Sequence, residues 1–272
     1  MPTRGGFSTK LKFDVYSGFL SSVVRCQPLS RALSRKSESV AVMEIKKKSE
    51  SGTPWYPVSI ERLDGLLSNA ICTNDAYEHT YALRRNIAYN LQYIEFQLKV
   101  IEDIKLSSVL YTQTVKSILL VGCSVIESIL HYVLIVNGVH STTEWKEKAV
   151  FKGNQKKYEG EQVRVDTVIY SKLDQPVLKH MTFDAMIKSA KSKNIFGKEP
   201  LIYEKLNELR TLRNKVHLQV INTPTDTDWN SFNSSDLSDI SVVLYEVFSS
   251  ELFNLSESQQ GCFEYLRRNF SA

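Results

Sequence analysis

Apolar residues recur at helical spacing along most of the chain from residue 58 onward. Ile60, Leu63, Leu66 and Leu67 follow Ser59, a residue suited to capping a helix start, and predict a short helix there. Ile87, Leu91, Ile94, Leu98 and Ile101, with Tyr81 ahead of them, predict a long helix over about 74–104, with Arg84, Arg85 and Asn90 on its polar face. Residues 115–136 are the most apolar run and end at Asn137-Gly138, a good helix stop. Thr182 followed by Phe183, Met186, Ile187 and Ala190 reads as a capped helix. Residues 201–220 predict another, Ser234 to Asp236 opens one that extends toward Leu252, and 264–270 form a short terminal one.

Residues 139–180 break this theme. Gln162 to Tyr170 alternates apolar and polar positions with β-branched enrichment, and Ala149-Val150-Phe151 is the natural partner for a small hairpin. Lysines around it, from Lys146 to Lys157, suggest a solvated loop, and Pro176 closes the region. The whole stretch reads as an insertion between bundle helices. The chain is therefore expected to be all-α, a helical bundle with a small β-hairpin-like insertion at about 140–180.

The run 115–136 is long enough to span a bilayer. Glu127 and His131 argue against that, because a central acid costs several kcal/mol in lipid. A helix covered on most sides by other helices explains the same pattern. Glu127 then needs a cationic partner, and Arg210 or Arg213 is the candidate.

Residues 1–54 differ from the rest, being rich in Ser, Lys and Arg without sustained apolar periodicity. Arg25, Arg31, Arg35, Lys36 and Lys46-Lys47-Lys48 make this a basic, loosely ordered extension before a single helical domain over 55–272. A nucleic-acid arm is the alternative use of such charge. The segment shares its acid-poor start with organellar transit peptides but lacks their amphipathic pattern, and it has no secretory signal. Met43 reads as a natural chain start, with 1–42 an upstream extension.

Across 272 residues, 42% hydrophobic and 24% charged positions describe an ordinary globular protein. A net charge of +4 permits a nucleic-acid partner without demanding one. Cys26, Cys72, Cys123 and Cys262 are scattered, which argues against a zinc cluster or disulfide framework and places the protein in a reducing compartment, the cytoplasm. No glycine-rich phosphate loop, zinc-ligand spacing or G-x-S-x-G elbow occurs, so no cofactor and no metal are expected.

Glu208-Leu-Arg-Thr-Leu-Arg-Asn-Lys-Val-His-Leu218 carries the candidate chemistry. On one helix, Arg210, Arg213, Asn214 and His217 would share a polar stripe, while Leu206, Leu209, Leu212 and Val216 would face the core. Guanidiniums can neutralise a phosphodiester while an imidazole moves protons. The same residues also describe an ordinary solvated helix face. His131 lies one turn beyond Glu127 and reads as a core or supporting histidine.

This motif resembles the signature helix of HEPN domains: an Arg, four to six residues, then His, with a polar residue often following the Arg. Arg210 to His217 fits that spacing. Arg213-Asn214 fits the Arg-polar pair but stands only three residues before His217, so both arginines are carried as candidates. The apolar run around Glu127 is similar to the acidic helix that accompanies the motif, and the resemblance covers roughly residues 80–255. It implies a dimeric, metal-independent ribonuclease with a composite site, active in antiphage defence or a toxin system beside an antitoxin or defence partner. Arg210 or Arg213 would stabilise developing charge, and Asn214 would orient the phosphate or His217. One imidazole supplies one proton role, so a symmetric partner's His217 would supply the second. The alternative is a HEPN-like module that binds nucleic acid, nucleotide or protein without cutting.

Overall fold

The computed structural model describes residues 57–197, 200–217, 221 and 223–267. The basic extension over 1–54 lies outside them. The described residues are mostly helical, with eight α-helices and a small antiparallel ribbon.

Helix α1 spans Ile60–Leu67 and is capped as expected, Ser59 Oγ accepting the Arg62 N–H at 3.3 Å. Helix α2 spans Thr80–Asp103, starting later than the periodicity suggests. Asn74 is the reason: its Oδ1 accepts the N–H groups of Ala76 and Tyr77, each at 2.9 Å, and turns the chain there. The expected polar face of α2 is engaged locally. Arg84 bridges Asp64 at 3.0 Å and donates to the Ile71 carbonyl at 2.9 Å, and Arg85 reaches Glu61 at 3.6 Å.

Helix α3, Ser108–Val136, forms the axis of the bundle, packing against α2 and the later helices α4 (Phe183–Lys193), α5 (Pro200–Asn214) and α7 (Ser234–Ser249). It is long and apolar enough to cross a membrane, and 67% of its most apolar window is buried against the rest of the chain. Gly122 lets α7 approach closely. A Cβ there would meet Ile240 Cγ1 at 2.7 Å. The helix stops where the sequence predicts, with Gly138 at φ 66° and the Val139 and His140 N–H groups donating to the Leu134 carbonyl.

The insertion is a two-stranded antiparallel ribbon, longer than the expected hairpin. Strand β1 (Thr142–Lys152) pairs with β4 (Asp166–Leu178), with Ala149 opposite Ile169 and Phe151 opposite Thr167. Between them lies a second hairpin, β2 (Lys156–Tyr158), whose lysines were expected in a solvated loop, with β3 (Glu161–Val163), turned at Glu159-Gly160, both at positive φ; the expected strand Gln162–Tyr170 is thus split between β3 and β4. Pro176 does not end the region but lies inside β4. The register jumps from Trp145–Lys172 to Thr143–Val177 there, so the proline is not asked for a ladder donor.

Helix α4 is capped by Thr182 as expected. Helix α5 ends at Asn214, six residues before the expected end at Val220. A short helix α6 (Asp228–Ser231) precedes α7, whose capping box is built on Asn233 and Asp236, one residue ahead of the expected Ser234. Of the expected terminal helix over 264–270, residues 268–270 lie outside the described residues; the described part is a 3-10 turn over Gly261–Arg267, preceded by α8 (Glu257–Gln260). Phe263 stacks on Phe248 there at 4.6 Å. Buried side chains from all the longer helices merge into one core.

Candidate functional site

Helix α5 is positioned by one face. Ile202, Tyr203, Leu206 and Leu209 are buried and Leu212 half-buried, which turns Arg210 and Arg213 toward α3 and α4. Arg213 Nη2 lies 2.8 Å from Glu127 Oε2, and its guanidinium stands 5.8 Å over the Phe183 ring. The carboxylate in the apolar run thus has its expected cation, and Arg213 is the one that supplies it. Neither side chain is fully buried, with 33% of Arg213 and 26% of Glu127 exposed, so solvent screens the pair in part.

Arg210 is held elsewhere. Its Nη2 lies 3.4 Å from Asp184 Oδ1 in the first turn of α4, and Lys188 Nζ approaches the other oxygen at 2.7 Å. The Lys188 hydrogen bond, then the Arg210 charge, hold the Asp184 carboxyl below its ordinary value against burial. Sequence reasoning missed Asp184, although its place in the first turn of a capped helix marked it as an acid near a helix N-terminus.

The expected four-residue stripe is broken. Arg210, Arg213 and Asn214 sit on α5, but His217 lies at a bend three residues past its end. The Lys215 N–H donates to the Leu212 carbonyl at 3.0 Å and the Val216 N–H to Arg213 at 3.2 Å, so the last turn tightens and the helix stops. Asn, β-branched Val and His are all weaker helix formers than the leucines before them.

His217 is exposed and lines a cleft of about 200 Å³ with Lys215, Asp226, Asp228 and Ser231. Among the described residues that line it, none is Arg210, Arg213, Asn214 or Glu127. Asp228 anchors the far wall. Lys116 Nζ bridges both its oxygens at 2.9 Å and Gln113 Nε2 donates at 2.8 Å. Burial works to raise the Asp228 carboxyl, but these hydrogen bonds outweigh it and leave it below its ordinary value. Lys116 was legible in principle: a lone lysine at the start of the most apolar run is only 7% exposed and must find a carboxylate.

A second, larger cleft of about 470 Å³ is lined by Glu127 together with His131, His140, His180 and Met186. The His131 and His140 rings meet edge to face at 5.0 Å, and Tyr77 touches His131 at 6.3 Å. Burial, followed by the charges of His140 and His180, holds His131 below its ordinary value. His131 is thus a cleft residue with ring contacts. His140 and His180 were not singled out by the sequence, since no spacing links them to residue 131. Among the described residues no group of three or more His, Cys, Asp or Glu is arranged to hold a metal ion.

No family model matches this sequence, and comparisons with curated proteins and with solved structures return no significant match. The site offers two guanidiniums with carboxylate partners at the end of α5, an exposed imidazole just beyond, and an imidazole-lined cleft that Glu127 also lines.

Proposed function

We propose that the protein is a HEPN-type, metal-independent endoribonuclease in which His217 and an α5 arginine assist attack of an RNA 2′-hydroxyl on the adjacent phosphate. The observation that carries this reading is Arg213, fixed at 2.8 Å by Glu127 on the last turn of α5, four residues before an exposed imidazole. A guanidinium pre-positioned by a carboxylate loses little freedom on meeting a phosphate. An exposed imidazole is free to take or give a proton.

One protomer offers one His217. A twofold dimer with the α5 ends facing each other would bring two imidazoles and up to four arginines to one scissile linkage. The setting that the HEPN resemblance suggests is cytoplasmic RNA degradation in antiphage defence or a toxin system, with an antitoxin or defence partner restraining it.

Incubation of labelled RNA with the full chain in EDTA tests the reading. The wild type cuts, and His217→Ala cuts at least about 100-fold more slowly with an unchanged thermal midpoint, since the residue is exposed and outside the helix. A mixture of Arg213→Ala and His217→Ala chains stays well below wild-type activity, because no cleft in it is complete.

A second reading has its own support. Arg210 and Arg213 already have carboxylate partners and His217 lies on a separate cleft, an arrangement that suits a module binding a phosphate-bearing partner without cutting. RNA binding without cleavage across diverse sequences would select it.

A further inference from the structure

The ribbon of β1 and β4 leaves the bundle at Ser141, whose carbonyl accepts the Lys179 N–H at 2.9 Å. No residue of either strand is fully buried, and none belongs to the helical core. A two-stranded hairpin alone in water is marginally stable, so an open ribbon of this length gains from a cover. Cross-strand partners in an antiparallel pair point to the same face, and successive residues of a strand to opposite faces. The register therefore sorts the side chains. Trp145 opposite Lys172, Glu147 opposite Tyr170, Val150 opposite Val168 and Lys152 opposite Asp166 share one face, and the bulge between Glu147 and Ala149 keeps β1 in step with β4. Ala149, Ile169, Phe151 and Thr167 lie on the other. On the first face Trp145, Val150, Val168 and Tyr170 are 37–53% exposed. Aromatic and β-branched side chains left open along one face mark a contact surface.

Charge decides the kind of partner. Both signs are interspersed with the apolar rungs of this face, which suits a protein better than a polyanion. The charges are also ordered from end to end. Let a second copy be turned about a twofold axis that lies between two such faces, perpendicular to the strands. Each β1 then packs over the other β1 and each β4 over the other β4, with directions reversed. Lys172 faces Asp166 of the second copy, Tyr170 faces its Val168, and Trp145 faces its Lys152, a cation over an indole. Asp166 already holds Arg164 at 2.8 Å and the Gly153 N–H at 3.2 Å, but a carboxylate has about four acceptor positions. Lys172 reaches Glu144 at 3.8 Å, a loose contact that leaves ammonium donors to spare.

We propose that this ribbon face is a self-association surface, on which a second copy of the chain seats the same face with its strands reversed. The inference goes beyond the ribonuclease reading and does not rest on it, since it uses neither α5 nor His217. Every contact in it occurs twice, as a twofold interface requires. A face this short makes a small interface, so the association is expected in the micromolar range.

Sedimentation equilibrium of the full chain, across a micromolar concentration series and without RNA, tests the inference. The wild type sediments as a dimer or larger, and Val168→Glu, which places an acid among the apolar rungs, halves that mass. Ile169→Glu, one residue on but on the opposite face, leaves the mass unchanged. Lys172→Glu weakens association about tenfold or more, as loss of both pairs with Asp166 demands. Neither Val168 nor Ile169 belongs to the helical core, so both variants keep a folded bundle. A monomeric wild type, a mass that survives Val168→Glu, or equal dissociation by both glutamates overturns the inference. So does a monomer whose RNA binding Val168→Glu abolishes, which would assign the face to nucleic acid. RNA cutting in EDTA is read separately, and its absence bears on the ribonuclease reading alone.

Discussion

Arg213 and Glu127 stand 86 residues apart in sequence and 2.8 Å apart in space, tying the last turn of α5 to the middle of α3. Glu127 lines the larger of the two clefts, and neither residue lines the His217 cleft. The pair's guanidinium is four residues from His217, and its carboxylate forms part of the imidazole-lined wall.

A double-mutant cycle of Glu127→Ala and Arg213→Ala, followed by urea unfolding, should give a coupling energy of about 1 kcal/mol. That is the upper part of the range for pairs partly open to solvent. A coupling indistinguishable from zero would mean that packing of Leu206 and Leu209, rather than the bridge, sets the position of α5.

Cys123 lies one turn from Glu127 on α3, fully buried, and burial pushes its thiol up to about 12, with the Arg213 charge opposing this in part. Thiolate is the reactive form, so Cys123 should resist iodoacetamide in the folded chain at neutral pH. Cys72 is exposed and should be alkylated readily. Mass spectrometry of the modified protein distinguishes them. Modification of Cys123 at a rate like that of Cys72 would show that the α3–α5 contact opens easily.

Acid should destabilise the fold through His131. The groups around it are His140, His180, Tyr77, Glu127 and Lys179, and burial followed by the two histidine charges lowers its proton affinity below the ordinary 6.5. The unfolded chain then binds a proton that the folded chain refuses, so stability from this group is complete above about pH 6.5 and declines as pH falls through that value. Urea midpoints measured between pH 7.5 and 5.5 should drop less in His131→Gln than in the wild type. Parallel slopes for the two proteins would remove His131 from the account.

Local pattern carried a large part of this structure. Ser59 and Thr182 announced their helices because a cap is a contact between residues three apart. The end of α3 at Asn137-Gly138 and the pairing of Ala149–Phe151 with the strand that follows were equally readable, since turn chemistry and alternation are short-range. Boundaries that depend on a single side chain bonding its own backbone were misplaced, as at Asn74, because period alone cannot weigh a turn against another helical turn.

By itself the sequence determined that Glu127, an acid in the most apolar helix, must meet a cation, with Arg210 and Arg213 as the candidates. Only the tertiary structure decided which cation. Arg213 takes Glu127 on α3 while Arg210 is drawn to Asp184 on α4, a choice that depends on how α5 packs against those two helices. It also decided that α5 stops before His217 and that His131, His140 and His180 share one wall. Those outcomes rest on contacts between distant segments, whose free energies exceed the small differences in local propensity that a linear reading can weigh.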